Sequence, residues 1–145
     1  MDIKVENKTV YLSGVIDEHS SFEKIPNSNF GLNFECSQVK KINSNGVKSW
    51  ISFFSKLPSS TTLEKLSPVL VEQLNSLSNF AGNAQVKSVQ VPFACTQCKK
   101  ETIQSMTIGE LKQNPEPDPI FCSHCHGRAE FDDLPEEYFC FLENF

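Results

Sequence analysis

No stretch of this sequence approaches the roughly 18–20 consecutive apolar residues that a membrane span requires. Its opening residues, Met1-Asp2-Ile3-Lys4-Val5-Glu6-Asn7, lack the apolar core of a secretory signal. Membrane insertion is not expected, and the expected compartment is the cytoplasm. Internal repeats are missing too. There is no glycine-rich phosphate loop, no carboxylate pair, and no nucleophile beside a base in a motif context. An enzyme is therefore not the expected class. Arginine is nearly absent: Arg128 is the only one. The back third carries no Lys/Arg stripe, so nucleic acid is not an expected partner.

What is present fits one compact domain plus a metal-stabilised appendage within 145 residues. The net charge of −5 is unevenly spread. Residues 1–91 hold nine Lys against eight acids, whereas residues 92–145 hold four cations against ten acids. The acidic end is not drawn to phosphate backbones or anionic lipid. Twelve Phe point to well-filled cores or a sticky surface.

Alternating apolar residues predict strands over 2–6 and 9–14, joined by a turn at Asn7-Lys8. Residues 17–22 are expected to open a short helix that Pro26 and Asn27-Ser28-Asn29 end. Phe30 to Phe34 reads as a buried strand. Val47, Trp50, Ile51 and Phe54 then recur at helical spacing, and Leu57-Pro58 stops that helix. Thr61 to Leu66 is a further strand. Ser67-Pro68 starts a second helix, with the Ser side chain expected as its cap and Val71, Leu74 and Leu77 facing inward. Val86, Val89 and Val91 are expected in one last strand. Strands alternating with helices predict an α/β fold with a mixed sheet and helices packed on it.

Six cysteines in a reducing compartment read as metal ligands and core thiols rather than disulfides. Cys95-Thr96-Gln97-Cys98 and Cys122-Ser123-His124-Cys125 are two C-x-x-C pairs. Each pair brings two thiolates to one point, and two pairs complete a tetrahedral zinc site. With Thr102 to Ile108 as a strand between the pairs, this is the pattern of a small zinc ribbon. Gly127 is expected to serve the second turn, and Asn114-Pro115-Glu116-Pro117-Asp118-Pro119 to absorb the wide spacing. Other readings of the cysteines are a haem c attachment site (Cys122 to His126), a thioredoxin-type redox pair, or a nucleic-acid-binding ribbon. The first lacks an export signal, the second its βαβ setting, and the third its positive charge. Cys36 and Cys140 are expected to be core thiols. The tail from Asp133 reads as a capped helix, with Asp133 and Glu136 at capping-box spacing. Its stripe of Tyr138, Phe141, Leu142 and Phe145 is expected to pack on the ribbon or the first domain, the sharper reading being a partner-docking face.

Gly14-Val15-Ile16-Asp17, Ile42-Asn43-Ser44-Asn45-Gly46-Val47 and Leu66-Ser67-Pro68-Val69, in that order, resemble the STAS domain over about residues 3–91. That family includes the anti-sigma factor antagonists. The residues divide the chain into a STAS-like domain at 1–91 and a zinc ribbon with a terminal helix at 92–145. The resemblance implies a docking surface around the Ser44 turn for a kinase-like anti-sigma partner, or for a transporter ATPase as in some small members. Ser44 matches the family's phospho-acceptor, and Asp17 an acidic position beside it. Asn43 stands where the family usually has an acid, and Asn45 where it usually has a small residue. On residue chemistry alone, Ser44 is simply the cap of the helix that follows, and His19 a surface histidine.

Overall fold

The computed structural model describes residues 1–26 and 29–145. Its first element pair follows from a turn. Asn7 takes φ +55, a left-handed conformation that Asn tolerates. It closes a tight hairpin between β1 (Asp2–Glu6) and β2 (Thr9–Ile16), in which Glu6 lies opposite Thr9. β3 (Asn33–Ile42), β4 (Thr62–Glu64) and β5 (Gln85–Val86) follow. They complete a five-stranded sheet of order β1-β2-β3-β4-β5. The β1/β2 pair is antiparallel and the remaining pairs are parallel, so the sheet is mixed.

The parallel pairs require crossovers. α1 (Ser44–Phe54) connects β3 to β4, and α2 (Pro68–Ser76) connects β4 to β5. α1 lays the sole Trp, Trp50, into the centre of the core. Its ring stacks on Phe80 with centroids 5.0 Å apart, and its indole N–H donates to the Phe80 carbonyl at 2.9 Å. Phe34, Phe54 and Phe22 close around it. Such ring pairs contribute about 0.5–1.5 kcal/mol each beyond the area they bury.

A second, four-stranded sheet has the order β7-β6-β9-β8. It contains β6 (Ser88–Cys95), β7 (Glu101–Thr107), β8 (Ile120–Phe121) and β9 (Arg128–Phe131). α3 (Ile108–Gln113) lies between β7 and β8, and α4 (Pro135–Tyr138) follows β9. The chain is thus mixed α/β, with four α-helices among the described residues. The sheets are stitched together at Leu66: its N–H donates to the Ser88 carbonyl, and its carbonyl accepts from the Gln90 N–H. One apolar cluster runs from Val10 through Leu70 and Val89 to Phe141.

Five expectations are corrected. Residues 17–22 form no helix. The Asp17 carboxylate accepts from the His19 N–H at 2.9 Å, and the Ser20 hydroxyl accepts from the Asp17 N–H at 2.9 Å. These short-range bonds compete with helical ones. The Asn27-Ser28 part of the expected stop lies outside the described residues. The strand expected at Phe30 begins only at Asn33, and Phe30 is exposed. Ser67 does occupy the start of α2, yet its side chain makes no capping bond, and its buried hydroxyl has no partner among the described residues. Val89 and Val91 leave the first sheet, because β6 pairs antiparallel with β7 and β9. The tail is one α turn and a 3-10 turn (Cys140–Asn144) rather than a continuous helix. Asp133 accepts from the Leu134 N–H and does not cap it. Asn75 on α2 interrupts the tail by donating to the Tyr138 carbonyl and accepting from the Phe141 N–H. Tyr138 and Phe141 are buried as expected, and Phe145, 43% exposed, sets its ring edge-on to Phe141 at 6.0 Å between centroids.

Candidate metal centre

The two C-x-x-C pairs stand at the same end of the second sheet. Cys95 is the last residue of β6, and Cys98 ends the turn that follows. Cys122 follows β8 directly, and Cys125 lies in the turn that leads to β9. β6 and β9 are hydrogen-bonded neighbours, with Cys95 opposite Ala129, and that pairing brings the turns together.

The turns are built alike. The Cys95 N–H donates to the Lys100 carbonyl at 3.0 Å, and the Cys122 N–H to the Gly127 carbonyl at 2.7 Å. In each, the residue just after the second Cys is left-handed: Lys99 at φ +65 and His126 at φ +63. The left-handed position of the second turn is therefore His126. Gly127 is needed for space, since a Cβ there would lie 2.8 Å from the Gln97 side-chain oxygen and 3.2 Å from Cys125 Sγ.

All four Sγ atoms lie within 4.8 Å of one another. Contacts run between the turns, Cys95 to Cys125 at 3.4 Å and Cys98 to Cys122 at 3.6 Å. Sulfurs on one zinc at about 2.3 Å are separated by about 3.8 Å in a tetrahedron. The cluster could thus hold a metal ion, and its dimensions are consistent with zinc. His124 and His126 do not belong to it.

Backbone amides prepare the sulfurs for charge. Cys95 Sγ accepts from the Gln97 and Cys98 N–H groups, and Cys122 Sγ from His124 N–H. The Cys125 and His124 amides lower the Cys122 thiol to about 6. The Cys98 amide, against some burial, lowers Cys95. Cys98 goes the other way. The Lys100 amide pulls it down, but burial and the three sulfur neighbours outweigh that and raise it to about 11. Such a sulfur becomes a thiolate when a cation takes the proton's place. Cys95 and Cys122 are buried and Cys125 is exposed, so one side of the cluster faces solvent. Around it, Thr102 Oγ1 accepts from the Ser123 N–H at 3.2 Å, and Thr96 Oγ1 donates to the Arg128 carbonyl at 3.0 Å. These two bonds tie the first turn to β9 and the second to β7.

The Ser44 turn lies elsewhere, at the end of the first sheet. Asn43, not Ser44, caps α1: its side-chain oxygen accepts from the Gly46 N–H at 2.8 Å. Ser44 is the first helical residue, and Asn43, Ser44 and Asn45 are exposed. Gly46 lets the helix press on β2, since a Cβ there would lie 2.2 Å from the Ile16 carbonyl oxygen. The Asn43 N–H also donates to that oxygen at 3.1 Å. Asp17 is half-buried and spends its carboxylate on its own turn. The acid joined to the Ser44 turn is Glu18, which accepts from Asn43 Nδ2 at 2.8 Å. That bond, with a backbone amide, lowers the Glu18 carboxyl. Sequence reasoning missed Glu18, whose only signal was adjacency to Asp17. Cys36 is fully buried, which raises its thiol well above the usual range. The half-buried Cys140 lies against Asn75. No model of a protein family, no curated protein and no solved structure matches this chain.

Proposed function

We propose that this chain is a regulatory protein-interaction module of the STAS, anti-sigma-factor-antagonist type. In this reading its four paired cysteines hold one structural zinc in a ribbon, and it has no catalytic site. The docking role is carried by the Ser44 turn. Its backbone is pinned by Gly46 and Asn43 against Ile16, while the side chains of Asn43, Ser44 and Asn45 remain exposed. Beside it lies a hollow of about 390 Å³ lined by Val15, Ile42 and Val69, with Lys41, Glu72 and Gln73 at its polar side. Val15 is 41% exposed. A rigid polar turn next to accessible apolar surface suits a protein partner.

A phosphoryl group on Ser44 would sit on the first turn of an 11-residue helix, where the fold tolerates negative charge. It would add about −1.5 to −2 charges beside Glu18 and switch off an acidic or charge-sensitive partner without unfolding the domain. Zinc held by four protein sulfurs has no open position. Its part is to hold the two turns together.

Affinity purification of the full chain from its native cell, with intact-mass and metal analysis, tests both halves. The expected result is one zinc per chain and a kinase-like anti-sigma partner that Ser44→Asp weakens and Ser44→Ala retains. Iron, haem or no metal in fresh protein would sink the metal assignment. Partners indifferent to Ser44→Asp would sink the switch, and co-purification of a transporter ATPase instead would replace the partner class.

A further inference from the structure

A groove of about 860 Å³ runs along α1 and just past its end, from Lys48 to Lys56, and none of the four cysteines or Asn43, Ser44 and Asn45 lines it. Its aromatic wall is Phe22 and Phe53, stacked at 4.7 Å between ring centroids and half-buried. Lys24, Lys48 and Lys56 line it, all exposed, with Glu23 as the one acid. None of these lysines makes an ion pair among the described residues. The groove thus offers an aromatic surface within a lining of net charge +2.

The chain carries the complement of this groove at its other end. Glu116 and Asp118, both exposed, give residues 114–121 a net charge of −2. Prolines at 115, 117 and 119 restrict the backbone there, so little freedom is lost on docking. The segment runs into β8, the edge strand of its sheet, and ends at Phe121, which is 83% exposed. Neither Glu116 nor Asp118 makes an ion pair among the described residues. The segment does not line the groove of its own chain.

We propose that residues 114–121 of one copy dock in the Phe22–Phe53 groove of a second copy. Phe121 stacks against the two rings while Glu116 and Asp118 meet Lys48, Lys56 and Lys24. Groove and segment are different surfaces, so the contact is heterologous, and association can proceed past a dimer unless it is reciprocal. This proposal is independent of the Ser44 reading.

Sedimentation of the purified full chain tests it, from micromolar to about millimolar concentration. The runs are made at low salt and at about 1 M salt, where the screening length falls to about 3 Å. Reversible self-association is expected, weakened by salt. The pair Lys48→Glu and Lys56→Glu should weaken it by about tenfold or more. Phe121→Ser should do the same. Because Phe121 adjoins Cys122, the lysine pair on the distant groove supplies a readout free of the metal turn. Adding Glu116→Lys and Asp118→Lys to the lysine-reversed chain should restore association. A monomer throughout the low-salt series overturns the proposal. So does association that ignores both sets of variants, or a charge swap that restores nothing. A chain that stays monomeric while its groove captures an acidic peptide from another protein overturns it as well.

Discussion

Chelating zinc from the loaded protein should free the two cysteine turns and leave the first sheet folded. With free zinc at about 1,000 times its dissociation constant, the bound ion stabilises the native state by about 4 kcal/mol. For a chain of this size that corresponds to roughly 8–16 °C in Tm. The loss should be local. Val89, Val91 and Phe93 are fully buried. Strand β6 is also held by the Gln90 N–H on the Leu66 carbonyl and by the Tyr138 hydroxyl on the Gln90 carbonyl at 2.7 Å. Hydrogen exchange should therefore rise over residues 95–100 and 120–131 and stay slow over 88–93. Trp50 is the only tryptophan and stacks on Phe80 against the first sheet, so its emission reports on the packing at that end of the apolar cluster. Calorimetry, exchange and fluorescence on loaded and chelated protein make the comparison. An unchanged Tm would refute the metal reading. A red shift of Trp50 emission in step with zinc loss would refute the claim that the loss stays local to the cysteine turns.

Gly46→Ala should cost about 1–3 kcal/mol in urea denaturation, because its Cβ would meet the Ile16 carbonyl oxygen at 2.2 Å. The matched control, Gly109→Ala in α3, meets only Thr107 Oγ1 at 3.9 Å and should stabilise by about 0.5–1 kcal/mol; equal effects at both sites would contradict the close packing at Ile16. Zinc binding should release fewer than four protons at pH 7, because Cys122, held at about 6, is already largely thiolate. The sign follows from competition between proton and metal: affinity falls as pH drops through about 6, and proton release then approaches one per sulfur. Calorimetric titrations in buffers of different ionisation enthalpy measure it, and four protons at both pH values would contradict the amide bonds to Cys122 Sγ.

Local chemistry made much of this legible in the residues. Asn7 announced its turn, and Trp50 and Phe54 announced the buried face of α1. Pro68 marked the first turn of α2. The two C-x-x-C pairs announced a four-sulfur group, which the β6–β9 pairing assembles. What misled was equally physical. Asn43 and Ser44 are both good caps and neighbours, and only the close approach to Ile16 selects Asn43. The periodic signal at Val86, Val89 and Val91 says that these residues are buried, not which sheet buries them. The tail has helical spacing, but Asn75 takes over its backbone groups from a distance of more than sixty residues in sequence.

The sequence by itself determined the buried faces of α1 and α2, the hairpin turn at Asn7 and which sulfurs belong in pairs, though not the exposure of Phe30. Those properties are set by side-chain chemistry within a few residues. Tertiary structure alone decided which strand lies beside which, that Glu18 rather than Asp17 meets the Ser44 turn, and that Asn75 breaks the tail. Each of those outcomes depends on hydrogen bonds and packing between segments far apart in the chain, and no local pattern encodes them.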